Sequence, residues 1–157
     1  MDRARLRFTA TYAINERLSL GIEANPLDDD YGPLANWRVL DETARRPALI
    51  LGTSSDRIGT PSGRAVFATL SKDLESWSGL PIAPYAGIAF GEYEDEWREV
   101  AGLRIRWAER LTTTSLWDGV NLHHTIDWAF DGGWRAGAVV VEQEGDYYLG
   151  ATVGLRW

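Results

Sequence analysis

The sequence predicts an all-β chain whose antiparallel strands run up and down as a β-barrel of about 10–12 strands. Three observations predict it. Apolar and polar residues alternate with period two along most of the 157 residues, and a helical period is hard to find. Gly, Asp and Asn collect between the alternating segments, where hairpins demand them. Eight residues are Trp, well above ordinary usage, and Trp gathers where an apolar body and an N–H donor meet a boundary.

The first segment carries Leu6, Phe8, Ala10, Tyr12 and Ile14 on one face, with Arg5, Arg7, Thr9 and Thr11 on the other. After Asn15-Glu16-Arg17 the pattern resumes as Leu18, Leu20, Ile22 and Ala24 against Ser19, Gly21 and Glu23, which makes a tight hairpin. Asn25 to Asn36 holds Pro26, Pro33 and the run Asp28-Asp29-Asp30, and is expected to be a long polar loop. Weaker strands are expected at 37–43 and 47–53, joined near Arg45-Arg46, with a polar loop over 54–63. Alternation returns at 64–71, 84–91 and 99–107, where Ala101, Leu103, Ile105 and Trp107 oppose Gly102, Arg104 and Arg106. Segments 111–117, 120–130, 134–142 and 147–157 follow, separated by Asp118-Gly119, Asp131-Gly132-Gly133 and Glu144-Gly145-Asp146. The reading gives about eleven strands, no convincing helix and one domain over 1–157. Single-chain bacterial barrels close with even numbers. The expectation is therefore ten or twelve strands, or a strand missing ahead of Met1.

Composition narrows the function. No run of apolar residues is long enough for a spanning helix, and mean hydropathy is −0.26. A transmembrane barrel keeps such an average, because lipid-facing and lumen-facing residues alternate. Cysteine is absent, which removes disulfides, thiolate chemistry and Cys-based metal sites. With a net charge of −7 and no basic stripe among aromatics, nucleic acid is not an expected partner. No cofactor motif is present. Alternating sequence starts directly after Met1, so export carries the expectation that a leader was removed.

The second face of the strands decides which solvent the apolar face meets. It carries Arg5, Arg7, Glu23, Arg104, Arg106, His123, Asp127 and Arg156, with Gly21, Gly102, Gly150 and Gly154 between them. In a membrane barrel those residues line the lumen, opposite charges pair, and the apolar face meets lipid. Tyr12, Trp107, Trp128, Trp134 and Trp157 fall at one set of strand ends, and Trp37, Tyr93, Trp97, Trp117 and Tyr147 at the other. Those are the expected aromatic girdles, one per interface.

In the last segment Tyr147, Leu149, Ala151, Val153, Leu155 and Trp157 alternate up to an aromatic final residue. This is similar to the C-terminal signature of bacterial outer-membrane β-barrel proteins, whose closing strand ends in Phe or Trp and is read by the assembly machinery. The hairpin Tyr12-Ala13-Ile14-Asn15-Glu16-Arg17-Leu18 likewise resembles the periplasmic turns of OmpA-type barrels. The resemblance implies location in the bacterial outer membrane, with the bilayer, lipopolysaccharide and the assembly machinery as partners. It implies no substrate. It also puts the turns at Asn15-Glu16, Glu109-Arg110 and Asp131-Gly132-Gly133 on the periplasmic side. The opposite loops, with Asp28, Asp29, Asp30, Glu92, Glu94, Asp95, Glu96, Glu142, Glu144 and Asp146, are acidic on balance. They are expected to be solvated loops. A sharper reading has them hold divalent cations that bridge lipopolysaccharide phosphates.

Candidate chemistry is sparse. His123 and His124 are adjacent, so on a strand they point to opposite faces and cannot chelate one metal. Asn121, His123, Thr125 and Asp127 share the lumen face, while Leu122, His124, Ile126 and Trp128 share the lipid face. A His toward lipid needs a partner, and Ser115 on the preceding strand is the nearest nucleophile it could activate. Gly52 to Gly63 looks like a phosphate loop but lacks the Gly-Lys-Ser/Thr ending and a following helix. Glu92, Glu94 and Asp95 read as a loop tip rather than a glycosidase pair. The expected function is a structural membrane barrel or a narrow passive channel, non-enzymatic and without a metal. The alternatives are a soluble lipocalin- or avidin-like binder with an aromatic calyx and, more weakly, a lipid-modifying outer-membrane hydrolase.

Overall fold

The structure, a computed structural model, describes residues 6–56, 60, 62–143 and 145–156. Arg5, Trp157 and Glu144, and the part of the phosphate-loop lookalike at 57–59 and 61, lie outside them. Eleven antiparallel strands form one sheet and neighbour each other in chain order. They are β1 (Phe8–Ala13), β2 (Leu18–Asn25), β3 (Asp30–Leu40), β4 (Ala48–Ser55), β5 (Arg64–Ser71), β6 (Ile82–Gly91), β7 (Glu96–Arg106), β8 (Leu111–Trp117), β9 (Leu122–Ala129), β10 (Trp134–Gln143) and β11 (Asp146–Leu155). The closed barrel expected from sequence is not seen: β1 and β11 end the strand order, and no pairing joins them among the described residues.

Side chains of the turns explain why the strands stop where they do. Asn15 Oδ1 accepts the N–H groups of Arg17 at 2.8 Å and Leu18 at 2.9 Å, closing the β1–β2 hairpin. Asp29 and Asp95 hold left-handed φ values of 51° and 54° in the β2–β3 and β6–β7 turns. Asp tolerates that conformation because its short polar side chain bonds locally. Asp118 Oδ1 accepts Val120 N–H at 2.9 Å and Asn121 N–H at 2.8 Å between β8 and β9.

Two expectations are corrected here. The stretch 25–36 is mostly strand, because β3 begins at Asp30 and pairs with β2 from Asn25–Asp30 to Leu18–Trp37. Pro33 favours a loop by its local chemistry. It lies beyond the last described β3–β4 pair, Ala35–Thr53, where a missing N–H costs the ladder least. The other correction is a single helical turn, α1 (Glu75–Ser78), in the β5–β6 connection. Asp73 Oδ1 accepts Glu75 N–H there at 2.9 Å, and Gly79 ends the turn at φ 72°.

The chain divides into two compact units, Met1–Ser71 with Ala86–Val100, and Lys72–Tyr85 with Ala101–Trp157. Each has an inverted interior. In the first, Glu23 and Asn25 are buried while Leu20 and Ile22, on the opposite face of β2, are exposed. In the second, β9 alternates, with His123 buried and Leu122, His124, Ile126 and Trp128 exposed. Among the described residues the buried apolar side chains are Leu34, Ala48, Ala65 and Val141, all small or medium. The buried polar ones are Glu23, Asn25, Thr60, Asp118, Asn121, His123 and Gln143. Leu149 and Val153 of β11 are 82% and 73% exposed.

Gly133 in the β9–β10 turn has φ 83°, and a Cβ there would run into the Arg156 carbonyl oxygen. Gly133→Ala is expected to cost about 1–3 kcal/mol, read as a lower urea midpoint of the folded protein. Gly154, where a Cβ would meet nothing within 4 Å, is the control, and its Ala variant should leave the midpoint unchanged.

Candidate functional site

The polar faces of the two units carry the ionisable chemistry. In the first unit Glu23 on β2 is 1% exposed, and an isolated carboxylate at that depth would carry a desolvation penalty of several kcal/mol. Its partners come from other segments. The Arg7 guanidinium donates to Glu23 Oε2 and, at 3.0 Å, to Ser54 Oγ on β4. Arg64, at the start of β5, reaches β3 and donates to Asp30 Oδ1 at 2.9 Å. Its other terminal nitrogen stands 3.9 Å from Glu23 Oε1, too long for a hydrogen bond. Gly32 permits that reach: a Cβ on it would overlap the Arg64 guanidinium. Asn25 Nδ2 completes the chain by donating to Asp30 Oδ2 at 3.1 Å.

In the second unit a cavity of about 290 Å³ opens on the polar face. Arg104, Arg106, Arg110 and Arg135 line it, with Asp73, Glu109 and Asp127. Arg106 pairs with Glu75 of α1, and Arg110 with Asp131 at 2.8 Å. Neither Arg104 nor Arg135 has an ion pair among the described residues. Asp127 accepts a hydrogen bond from Thr152 Oγ1 at 3.3 Å. The cavity therefore offers two uncommitted guanidiniums.

The two histidines take separate roles. His123, 2% exposed, meets Asp118 Oδ2 through Nε2 at 2.7 Å. His124, on the exposed face, meets Ser115 Oγ through Nδ1 at 2.9 Å, and the two stand directly opposite in β8 and β9. Burial pushes the Asp118 carboxyl up, but the hydrogen bonds from His123, Asn121 and Val120 outweigh it and hold the carboxyl below its ordinary value.

Of the expected polar-face residues, the structure joins Arg7 to Glu23, and gathers Arg104, Arg106 and Asp127 at one cavity. His123 is apart from that cavity and belongs to the Asp118 turn. Arg156 enters through its backbone, whose N–H donates to Gly133 O at 3.0 Å. The aromatic residues Tyr12, Trp37, Trp97, Trp107, Trp117, Trp128 and Trp134 are all exposed. Phe90 stacks obliquely on Trp97 at 5.4 Å, and Trp107 Nε1 donates to Thr113 Oγ1 at 2.9 Å. Sequence reasoning missed Arg64, Arg135 and the exposed Trp77 of α1, and named Asp30 only as a loop carboxylate and Asp118 only as a turn residue. Starting β3 at Asp30 would have put Asp30 in phase with Glu23. Among the described residues no group of three or more His, Asp or Glu side chains is arranged to hold a metal ion. Comparison with protein-family models, with curated proteins and with solved structures found no match.

Because the folded Asp118 carboxyl is more acidic than the unfolded one, its stabilisation is complete above the ordinary value of about 4. It is lost as pH falls through the folded value. Acid titration followed by near-ultraviolet circular dichroism should show a loss of stability below that value. Asp118→Asn should flatten the loss and cost about 1–3 kcal/mol of stability at neutral pH, read as a lower urea midpoint.

Proposed function

We propose that the chain is an integral outer-membrane β-barrel, and that it gives small solutes and ions a narrow passive path on which anions are favoured. The observation that carries this is the inversion of burial: Glu23 and His123 lie inside while Leu, Val, Tyr and Trp lie exposed along the strands. A protein folded for water pays heavily for that arrangement. One folded for hydrocarbon requires it. Strand lengths add support, since β3 and β7 have 11 residues and β6, β10 and β11 have 10. A tilted strand needs about 9–11 to cross a bilayer.

The location in the outer membrane rests on the alternating C-terminal strand, and the reading includes closure of the ladder, because open edges are not tolerated in lipid. A soluble calyx would need its aromatics inside, whereas Tyr12 is 70% exposed and Trp128 and Trp134 are exposed too. The anion preference comes from Arg104 and Arg135, whose charges face the cavity without a carboxylate partner among the described residues.

Expressed without its membrane, the chain should form inclusion bodies and refold only in micelles, with heat-modifiable gel migration. A monodisperse, folded protein in detergent-free buffer would refute the membrane reading. In planar bilayers, conductance should favour chloride over potassium, and Arg104→Ala with Arg135→Ala should shift the reversal potential toward cation preference. Unchanged selectivity in the double variant removes those arginines from the path.

A further inference from the structure

We propose that Ser115 and His124 form a nucleophile–base dyad that cleaves acyl esters of membrane lipids. Ser115 Oγ and His124 Nδ1 are 2.9 Å apart, within the range over which a general base takes a hydroxyl proton. The pair sits on the apolar face. Leu103 stands opposite Ser115 on β7, Val140 opposite His124 on β10, and Leu149 opposite Val140 on β11. Trp117, Leu122 and Ile126, also on that face, are exposed. The proposal rests on the membrane reading, which turns this face to lipid. An ionisable side chain there is a functional signal by default.

Depth points to the substrate. His124 is two residues inside the start of β9 at Leu122, about 7 Å along a strand rising about 3.3 Å per residue. Ser115 is two residues from the end of β8 at Trp117, an aromatic suited to the interface. On the membrane reading, a position so close to the strand ends would put the pair near the boundary between headgroups and acyl chains, where the ester linkages of a lipid lie. His123 takes no part, since its ring is buried on the other face against Asp118.

The step balances without any further reactant than water. Ser115 Oγ attacks the ester carbonyl carbon as its proton passes to His124. The tetrahedral intermediate then expels the glycerol or sugar oxygen, which receives that proton. Water, deprotonated by His124, hydrolyses the acyl-serine, releasing a fatty acid and restoring both side chains.

The test uses the full chain refolded in micelles, with heat-modifiable migration as the separate readout of membrane folding. Mixed micelles of dioleoylphosphatidylglycerol serve as substrate, and a fluorophosphonate as trap. Expected are release of oleate, a fluorophosphonate adduct mapped to Ser115, and loss of about 10²–10⁴-fold in rate for Ser115→Ala and for His124→Asn. The adduct is read on the unaltered protein, so it is independent of whether either variant folds. Heat-modifiable protein that neither releases oleate nor labels at Ser115 overturns the dyad and leaves the membrane reading standing. Release that persists in folded Ser115→Ala overturns it equally.

Discussion

A carboxylate taken out of water has to be met by cations and donors, and Glu23 sets that requirement at the centre of the first unit. Meeting it recruits Arg7 from the segment before β1 and Arg64 from β5, and Arg64 in turn needs Asp30 on β3 and the bare backbone of Gly32. One buried charge thus ties together segments far apart in the chain. It also fixes the phase of β2: with Glu23 and Asn25 inward, Leu20 and Ile22 have to point out. Because strand side chains alternate, a register slip of one residue would expose the carboxylate and bury the leucine. The polar interior and the apolar exterior are two results of one register.

Neighbouring histidines show the same rule at work on a smaller scale. His123 turns inward to the Asp118 turn, whose carboxylate already accepts two backbone N–H groups. That side chain closes the β8–β9 connection and anchors the first inward residue of β9 together. His124 turns outward and finds a hydroxyl instead of a carboxylate. The two rings differ in burial, partner and face solely because they are consecutive on a strand.

Much of this was legible in the sequence. Strong alternation located β1, β2 and β5 through β11, and Asn15, Asp118 and the Gly132-Gly133 pair announced their turns. The miss at β3 came from local chemistry that points to loops: Pro33 and three consecutive aspartates outweighed the phase of Asp30, Gly32 and Leu34. Tertiary pairing with β2 overrode that propensity. Helix α1 has four residues, too few for a 3.6-residue period to register. The site was half visible. Alternation tells which residues share a face, so Arg7 with Glu23 and Arg104 with Arg106 could be grouped. It does not give cross-strand register, and so the pairing of Ser115 with His124, or of Arg64 with Asp30, required coordinates.

The strand count carries a directional consequence. Eleven alternating strands start β1 from one rim of the ladder and deliver the end of β11 to the other. Zipping those two strands together would therefore produce a single parallel seam, with slanted bonds slightly weaker per residue than those elsewhere. Within a bilayer such a molecule is polar in the topological sense. On the membrane reading, the start of β1 and the end of β11 would lie on opposite sides of the bilayer.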